Sequence, residues 1–511
     1  MSIGQNPVID SLQNTNYLHM ISFTIALIAL IAGYFIYGTF VSKVFGQNPN
    51  IPTPVKSHAD GIDYVELPTW KVFLIQFLNI AGLGPIFGAI MGVMFGPAAF
   101  LWIVLGTIFA GAVHDYMSGM LSIRNEGSSL PEIVGGQLGT GIKNTMRVFA
   151  LLLMILVGAV FVYNPADLLA MLTPDSFDRI FWIAVIFAYY MLATLLPIDK
   201  LIGKLYPVFG FALLFMAAGI LVALYFHSSS MPEMWNEFYN HKADPEANPI
   251  FPMMFVSIAC GAISGFHATQ SPMMARCISN EKYARPVFYG AMVAEGIVAL
   301  IWAAAAITFT HGYSGLQDYL GSGSPAILVN DVSRTWLGTV GGILAILGVI
   351  AAPITSGDTA LRSARLIASD FMGIKQRKIS KRLLVSIPIF ILCFIIMLIP
   401  YEAMWRYFAW CNQVLSVFTL WAITVYLAKE HRLYIMTLVP ALFMTTVTVT
   451  YIFFAPEGFG ALSKMIWGTG IAYEWALSIG LCTAAVFLLL FTRFLKLNSR
   501  DSEAIQNQLA E

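Results

Sequence analysis

Two strongly apolar segments of this chain are interrupted where a membrane-spanning helix should be continuous. The first, residues 79–87, reads NIAGLGPIF, and the second, residues 261–267, reads GAISGFH. In hydrocarbon a helix can break only where the freed backbone groups are buried in protein or line a cavity. Interrupted helices in corresponding positions of two halves are typical of secondary transporters and mark their binding sites. The sequence therefore predicts a substrate site between these two segments.

The composition predicts an all-α polytopic membrane protein. Of the 511 residues, 58% are hydrophobic and 11% are charged, whereas soluble domains carry about 25% charged residues. A membrane helix needs about 20 apolar residues. Membrane lipids are the expected surroundings, and the net charge of zero gives no reason to expect a nucleic-acid partner. We expect about 13 transmembrane helices, near residues 18–41, 71–95, 98–121, 146–170, 179–197, 203–226, 251–270, 287–310, 336–356, 382–400, 405–428, 433–455 and 474–494.

The distribution of basic residues predicts the orientation. If the spans alternate, most of the 28 lysine and arginine residues fall on one side. The positive-inside rule then places the N-terminus outside and the C-terminus in the cytoplasm. No charged leader region or cleavage site precedes the first span, so we expect a permanent helix there. The basic residues expected on the outer side are Arg179, Lys242, Arg334, Arg406 and Lys464.

The spacing of the two interruptions predicts an inverted repeat. They lie five spans apart, and an odd offset makes equivalent helices cross the membrane in opposite directions. We expect a ten-helix transport core at residues 66–428. A helix and cytoplasmic loop at 1–65 precede it, and two C-terminal helices with a short tail at 429–511 follow. Residues 357–381 are expected to form a cytoplasmic connection with an amphipathic helix at the inner interface.

The first interruption contains Gly82, Gly84 and Pro85. Proline lacks an amide hydrogen and clashes with the preceding turn, which predicts a kink or break. A broken helix would offer free carbonyls and a helix N-terminus that favours a carboxylate. The alternative is a packing helix whose small residues allow close contact with neighbours.

The second interruption contains Gly261, Ser264, Gly265 and His267. This helix end is too polar for lipid contact, so we expect it to face the protein interior. Two interpretations of His267 are open. It binds a substrate carboxylate or carries a proton, because histidine titrates nearest physiological pH, or it is a structural histidine with satisfied hydrogen bonds.

Several other ionisable groups lie within or at the ends of spans. They are candidates for ion coupling, because charges within a membrane are costly and must pair or line a water path. The alternative for those near helix ends is an interfacial cap. The candidates are His114, Asp115, Glu295 and Asp358, the last preceded by the hydroxyls of Thr355 and Ser356. The five cysteines form no metal or disulfide pattern, and neither a metal nor a cofactor is expected.

Six motifs in this order resemble the carbon starvation protein A family of bacterial peptide and pyruvate transporters. They are DGIDYV at 60–65, IAGLGP at 80–85, FAGAVHD at 109–115, CGAISGFH at 260–267, YGAM at 289–292 with Glu295, and DTALRSAR at 358–365. The resemblance implies an amino-acid/polyamine/organocation type fold with leucine-transporter-like inverted repeats. It also implies proton-linked uptake of peptides or pyruvate across the bacterial inner membrane.

The chain departs from the family pattern at three points. Ile75-Gln76 stands where the family usually has a His-His pair, His114-Asp115 replaces Gln-Asp, and the chain is shorter than the longer members. By analogy with the leucine-transporter fold, Thr355, Ser356 and Asp358 would face the first interruption, where sodium-coupled relatives hold a cation. That position would bind Na⁺ or exchange a proton.

These observations favour a proton-coupled importer of peptides that works by alternating access. The alternative substrate is pyruvate, carried with a proton. A channel or a nutrient sensor is the alternative class, and the oligomeric state is left open. An enzyme is not expected: residues 356–358 lack the first glycine of an intramembrane aspartyl protease motif, and neither HExxH nor a nucleotide-binding P-loop occurs.

Overall fold

The computed structural model describes residues 20–510, apart from 62, 196–197, 228–230, 323, 377 and 400. Every regular element in this part of the chain is a helix. Residues 18–19, 196–197 and 400 of the predicted spans lie outside the described residues. The first half contains α1 (Ile21–Phe45), α2 (Thr69–Ile80), α3 (Gly84–Val93), α4 (Ala98–Arg124), α5 (Leu130–Leu138), α6 (Thr140–Leu172), α7 (Arg179–Leu195) and α8 (Ile198–Phe226).

The second half starts with a segment divided into short pieces, Ile250–Met254, Phe255–Ser257 and Ala259–Ala262. The helices that follow are α9 (Gly265–Ala275), α10 (Glu281–Phe309), α11 (Tyr313–Ser322), α12 (Pro325–Leu344), α13 (Leu347–Met372), α14 (Ile379–Ile396), α15 (Tyr401–Lys429), α16 (Ile435–Phe454), α17 (Phe459–Trp467) and α18 (Tyr473–Ala510).

Nine helices of the described chain are long and apolar enough to cross a membrane, and up to eleven if the bent pairs α2–α3 and α12–α13 each count as one span. The prediction of an all-helical polytopic membrane protein is confirmed. Two of the expected spans fall below this criterion, because the apolar part of α7, Arg179–Thr194, is shorter and residues 250–275 are broken into pieces. The number 13 therefore stays a prediction.

The helices around the two interrupted segments pack closely against one another. α2 packs against α8 and α10, while α9 packs against α15 and α4. α6 and α13 form an extensive contact between these groups, and α16 and α18 pack together beyond α15. Of these helices, α4, α6, α10 and α15 are mostly buried within the bundle. Polar side chains inside it must therefore find partners in neighbouring helices.

The prediction of an interfacial amphipathic helix at residues 357–381 is wrong. α13 continues without interruption to Met372, and its two arginines are buried, Arg362 being 1% exposed and Arg365 3%. Arg362 donates a 2.6 Å hydrogen bond to the Ala193 carbonyl. Arg365 donates one of 2.6 Å to Gln376 Oε1. The charged residues that alternate with apolar ones in this segment therefore do not mark a solvent-facing surface, because both arginines form hydrogen bonds inside the protein.

Candidate functional site

The first interruption is a true break between α2 and α3. α2 ends at Ile80, Ala81 leaves the helical conformation with φ −82° and ψ 49°, and the two helices meet at 53°. The Gly82 amide donates to the Ile80 carbonyl at 2.9 Å. Gly84 opens α3, with Pro85 in its first turn. A Cβ atom at Gly84 would overlap the Cys260 side chain, so only glycine allows this close approach of the two interrupted segments.

The second interruption is also a break. Ile263 and Ser264 are extended, with φ −158° and −148°, and they separate the short piece Ala259–Ala262 from α9. Gly261 packs against α10, where a Cβ atom would lie 2.7 Å from Ala299 Cβ. Gly265 begins α9. The two predicted breaks are therefore present and lie against each other.

Side chains from neighbouring helices form hydrogen bonds with the backbone carbonyl and amide groups that have no helical partner at this second break. Thr107 Oγ1 donates to the Gly261 carbonyl at 3.1 Å, and Gln413 Nε2 donates to the Ile263 carbonyl at 3.1 Å. Asn412 Oδ1 accepts from the Phe266 amide at 2.7 Å. Buried backbone groups outside regular structure need such partners. The break is thus built into the core rather than exposed to lipid.

Four completely buried side chains meet beside this break, and we call them the acid–histidine cluster: His114, Asp115, His267 and Glu295. His267 Nδ1 lies 2.9 Å from Asp115 Oδ2. His114 Nδ1 lies 2.8 Å from Asp115 Oδ1. His267 Nε2 lies 3.3 Å from Glu295 Oε2, without the geometry of a hydrogen bond. The cluster connects α4, α9 and α10.

The cluster can hold its protons in more than one arrangement. A neutral His267 that donates from Nδ1 to Asp115 presents Nε2 as an acceptor to a protonated Glu295. A protonated His267 instead donates from both nitrogens towards two ionised carboxylates. Adding or removing a proton changes the charge of a site with no exposed atoms, so the charge must be compensated by its neighbours. This arrangement is chemically suited to bind and release protons.

The remaining predicted residues form a separate group beside the first break. Ser356 Oγ donates to the Leu78 carbonyl of α2 at 3.0 Å. Thr355 Oγ1 donates to the Ala352 carbonyl at 2.7 Å. Asp358 Oδ2 accepts from the Tyr206 hydroxyl at 2.8 Å. The hydroxyls of Ser356 and Thr355 thus already donate to backbone carbonyls in this structure. No described hydrogen bond or ion pair joins this group to the acid–histidine cluster.

The alternative of interfacial helix caps is wrong for His114, Asp115 and Asp358. His114 and Asp115 lie well inside α4, and Asp358 lies well inside α13. All three are completely buried. Within the described part of the chain, no group of three or more His, Cys, Asp or Glu side chains has the arrangement of a metal site.

The sequence analysis assigned no site role to several polar residues that the structure brings to the breaks. Asn412 and Gln413 are a polar pair within an apolar span, a pattern that could have identified them. Gln76 and Asn79 lie one turn apart on α2 and are completely buried. Neither side-chain amide has a protein hydrogen-bond partner. Because buried amides are nearly always bonded, these two are candidates for contact with a ligand.

The two ends of the bundle differ in openness. We call the end where α3 finishes and residues 250–257 begin the Phe95 end, and the end where α2 begins and α9 finishes the Arg276 end. At the Phe95 end a cavity of about 450 Å³ reaches Phe87 and Ser257 beside the breaks. At the Arg276 end the space between Thr269 and Ser363 is about 20 Å³. Two larger apolar grooves, of about 550 and 540 Å³, lie away from the breaks.

Together the helical architecture, the two abutting breaks and the buried acid–histidine cluster define a polytopic membrane protein built like a transporter. The family described as "Carbon starvation protein CstA" matches residues 18–176, 166–333 and 314–451. The chain belongs to this family. The resemblance drawn from the six motifs is thereby confirmed.

Relatives with assigned names are transporters. The chain is 28% identical over 359 residues to the peptide transporter CstA of Campylobacter jejuni, covering 57% of this chain and 50% of that protein. It is 26% identical over 353 residues to the pyruvate/proton symporter BtsT of Escherichia coli, covering 55% and 48%. The chain thus spans about half the length of these curated relatives. An uncharacterized membrane protein of Haemophilus influenzae is 43% identical over 354 residues, covering 60% of this chain and 95% of that protein.

Solved structures with a similar fold include the manganese transporter of Eremococcus coleocola in complex with an aromatic bis-isothiourea substituted compound. It aligns with a TM-score of 0.51 and 12% identity, covering 87% of this chain and 98% of that one. At this identity the likeness concerns the fold alone. It agrees with a bundle of membrane-spanning helices.

Proposed function

We propose that this protein is a secondary active transporter of the bacterial cytoplasmic membrane that imports peptides with protons by alternating access. The observation that carries the proposal is the acid–histidine cluster, which is completely buried, joins three helices and lies beside a broken helix. Intramembrane ionisable groups of this kind mark proton relays and substrate routes. The relatives named as transporters support the same class.

The packing pattern supports the inverted repeat. In the proposed repeat, α2–α3 corresponds to residues 250–275, α4 to α10, α6 to α12–α13, α7 to α14, and α8 to α15. The contact of α2 with α8 then corresponds to the contacts of the pieces Phe255–Ser257 and Ala259–Ala262 with α15. The contact of α3 with α10 corresponds to that of α9 with α4. With the basic residues in the cytoplasm, the Phe95 end faces outwards.

The unequal cavities support alternating access. The site between the breaks is reached from the proposed outer side through about 450 Å³ of space, whereas the proposed inner side retains about 20 Å³. Transporters of this type move one repeat against the other around a fixed site. We therefore assign this structure to an outward-facing state.

Contacts at the Arg276 end form what we call the inner latch. The Tyr64 hydroxyl donates to the Glu126 carbonyl at 3.0 Å, and Arg276 Nε donates to the Gly127 carbonyl at 2.9 Å. The Arg276 guanidinium also lies 5.2 Å from the centroid of the Tyr64 ring. The latch connects the segment before α2 to the segment after α9. We propose that it breaks when the inner side opens.

Weakening the inner latch is expected to expose Cys277, which follows α9 and is completely buried. Burial raises the pKa of its thiol to about 12, so little of the reactive thiolate forms at neutral pH. Opening would return the pKa towards about 8.5. In a protein whose only cysteine is Cys277, Tyr64→Ala should increase the rate of N-ethylmaleimide labelling at least about tenfold.

The control for this labelling is Tyr407→Ala at the other end of the bundle. Its hydroxyl also donates to a backbone carbonyl, that of Glu457, at 2.9 Å. This variant should label at the parental rate. Labelling of Cys277 that stays at the parental rate in Tyr64→Ala would remove Tyr64 from the inner latch.

The two unpartnered amides favour peptides over pyruvate. Each amide of Gln76 and Asn79 offers both a donor and an acceptor, the same pair that a peptide bond presents. The carboxylate and carbonyl oxygens of pyruvate only accept hydrogen bonds. α2 also packs directly against α9, which carries His267. We propose that Gln76 and Asn79 bind the peptide bond of the substrate.

Gln76→Met is expected to stabilise the protein while weakening dipeptide transport. Replacing an unpartnered buried amide with an apolar group of similar shape should add roughly 1–3 kcal/mol to the free energy of unfolding. Loss of the contact with substrate should raise the KM for a dipeptide about tenfold. Thermal unfolding in detergent and initial uptake rates measure the two effects.

Gln137→Met is the matched control, because Gln137 is partly exposed and its Oε1 accepts from Lys429 at 3.1 Å. It should change neither quantity appreciably. An unchanged KM for the dipeptide in Gln76→Met would contradict the proposed amide contact, whatever its effect on stability.

The proposed function is tested by uptake of a labelled dipeptide and of labelled pyruvate into proteoliposomes, with pH and sodium gradients imposed separately. We expect the dipeptide to accumulate when the outside is acidic, without sodium. Accumulation of pyruvate alone would establish the alternative substrate. Uptake that equilibrates without ever exceeding the outside concentration, under every gradient, would indicate a channel.

A further inference from the structure

The cavity at the Phe95 end is apolar apart from a small number of polar groups. Phe87, Met91 and Trp405 form part of its wall, and Asn164 and Ser257 are among its polar lining residues. Lys242 and Arg406 also line it, and none of its lining residues in the described part of the chain is acidic. A cavity of about 450 Å³ is large enough for a small organic molecule. Its charged groups therefore favour an anion.

The two cations are not equally compensated. Arg406 Nε lies 3.3 Å from Glu457 Oε2, so a carboxylate balances its charge. Lys242 forms no salt bridge within the described residues. Its Nζ atom lies 3.6 Å from Met94 Sδ and 4.9 Å from the centroid of the Phe95 ring. Burial lowers the pKa of Lys242, which is the effect of removing an ammonium from water without supplying an anion.

The loop that carries Lys242 is fixed in position. The His241 ring stacks between Tyr239 and Tyr313, with ring centroids 4.0 and 4.1 Å apart. The Lys242 amide donates to Asn240 Oδ1 at 3.1 Å, and the side-chain amide of Gln317 donates to the His241 carbonyl. Lys242 is thus held against the cavity by neighbours on both sides rather than by a partner for its charge.

We propose that the Phe95-end cavity binds the carboxylate of the substrate through Lys242 before the substrate reaches the two breaks. The proposal rests on the proposed transport function and extends it with a second, outer binding site. A carboxylate would supply the anion that Lys242 lacks, and the apolar wall would accommodate the rest of the molecule. A peptide with a free C-terminus and pyruvate both carry this group.

Acylation of Lys242 tests binding without requiring transport. The purified protein in detergent is treated with acetic anhydride at mildly alkaline pH, and modification at Lys242 and Lys464 is followed by mass spectrometry. Lys464 is exposed on α17 and does not line the cavity. Because the free amine of alanyl-alanine also consumes the anhydride, acylation of Lys242 is expressed relative to that of Lys464 in the same sample. Saturating alanyl-alanine should lower this ratio about tenfold, because ion pairing keeps the Lys242 amine protonated.

Alanyl-alanine amide and pyruvate distinguish the sources of protection. The amide lacks a carboxylate and should not protect Lys242. Protection by pyruvate but not by the dipeptide would still support a carboxylate site and would identify the smaller anion as its ligand. Equal protection by the amide, or no protection by either carboxylate, would overturn the proposal even if transport is confirmed.

Transport by variants gives a second, independent readout. Lys242→Gln should raise the KM for the carboxylate substrate about tenfold with little change in kcat, and Lys242→Arg should restore most of the affinity. Lys464→Gln is the matched control and should behave as the parent. A gradient-driven transporter whose KM is unchanged by Lys242→Gln would refute the outer site while leaving the proposed function intact.

Discussion

Asp115→Asn is expected to abolish accumulation of substrate against its gradient while leaving exchange of labelled for unlabelled substrate across the membrane. Asp115 is the centre of the acid–histidine cluster, since its two oxygens contact His114 and His267 at 2.8 and 2.9 Å. Asparagine keeps the shape and an acceptor but removes the ionisable group. Substrate can still be carried, but proton movement no longer drives it.

Asp167→Asn is the control, because Asp167 is a half-exposed carboxylate 3.5 Å from Arg179 and such pairs contribute about 0–1 kcal/mol. It should accumulate substrate as the parent does. Glu295→Gln should behave like Asp115→Asn if both carboxylates exchange protons with His267. Full accumulation by Asp115→Asn would remove Asp115 from the coupling mechanism.

Gly265→Ala is expected to disrupt the second break and with it both folding and transport. A Cβ atom there would lie 2.5 Å from the Asn412 carbonyl oxygen and the Ser416 amide nitrogen. Both belong to the backbone of α15, which cannot move aside as a side chain can. Overpacking of this kind costs roughly 1–3 kcal/mol, and separating α9 from α15 also strains the hydrogen bond between Asn412 and the Phe266 amide.

The measurement is the yield of monodisperse protein in size-exclusion chromatography, followed by uptake. Gly136→Ala on α5 is the control, because a Cβ atom there meets nothing within 4 Å. It should leave yield and uptake unchanged. Parental yield and uptake in Gly265→Ala would show that α9 and α15 can separate without harm. That result would contradict the conclusion that their close packing is required at this break.

The sequence was sufficient to locate both breaks, because clustered glycine, proline and polar residues destabilise a continuous helix that faces lipid. It also identified His114, Asp115, His267 and Glu295 individually. It could not show that they meet, since α4, α9 and α10 are brought together only by tertiary packing. Their roles in coupling, like those of the residues at the breaks in binding substrate, stay predictions.

Elsewhere the local pattern was misleading. Arg362 and Arg365 suggested a solvent-facing helix, but both are buried and bonded within the bundle. The partners that satisfy the second break, Asn412 and Gln413, lie far from it in the sequence, so no local spacing connects them to it. The sequence also could not reveal that Gln76 lacks a partner, because that depends on every neighbour of α2.

Proton movement measured together with substrate uptake tests the coupled-transport proposal most directly. A pH-sensitive dye is enclosed in proteoliposomes without sodium, and unlabelled dipeptide is added outside. We predict acidification of the interior that depends on the dipeptide and is absent from Asp115→Asn. Dipeptide uptake that requires sodium and moves no protons would contradict the assignment of the acid–histidine cluster as the coupling site.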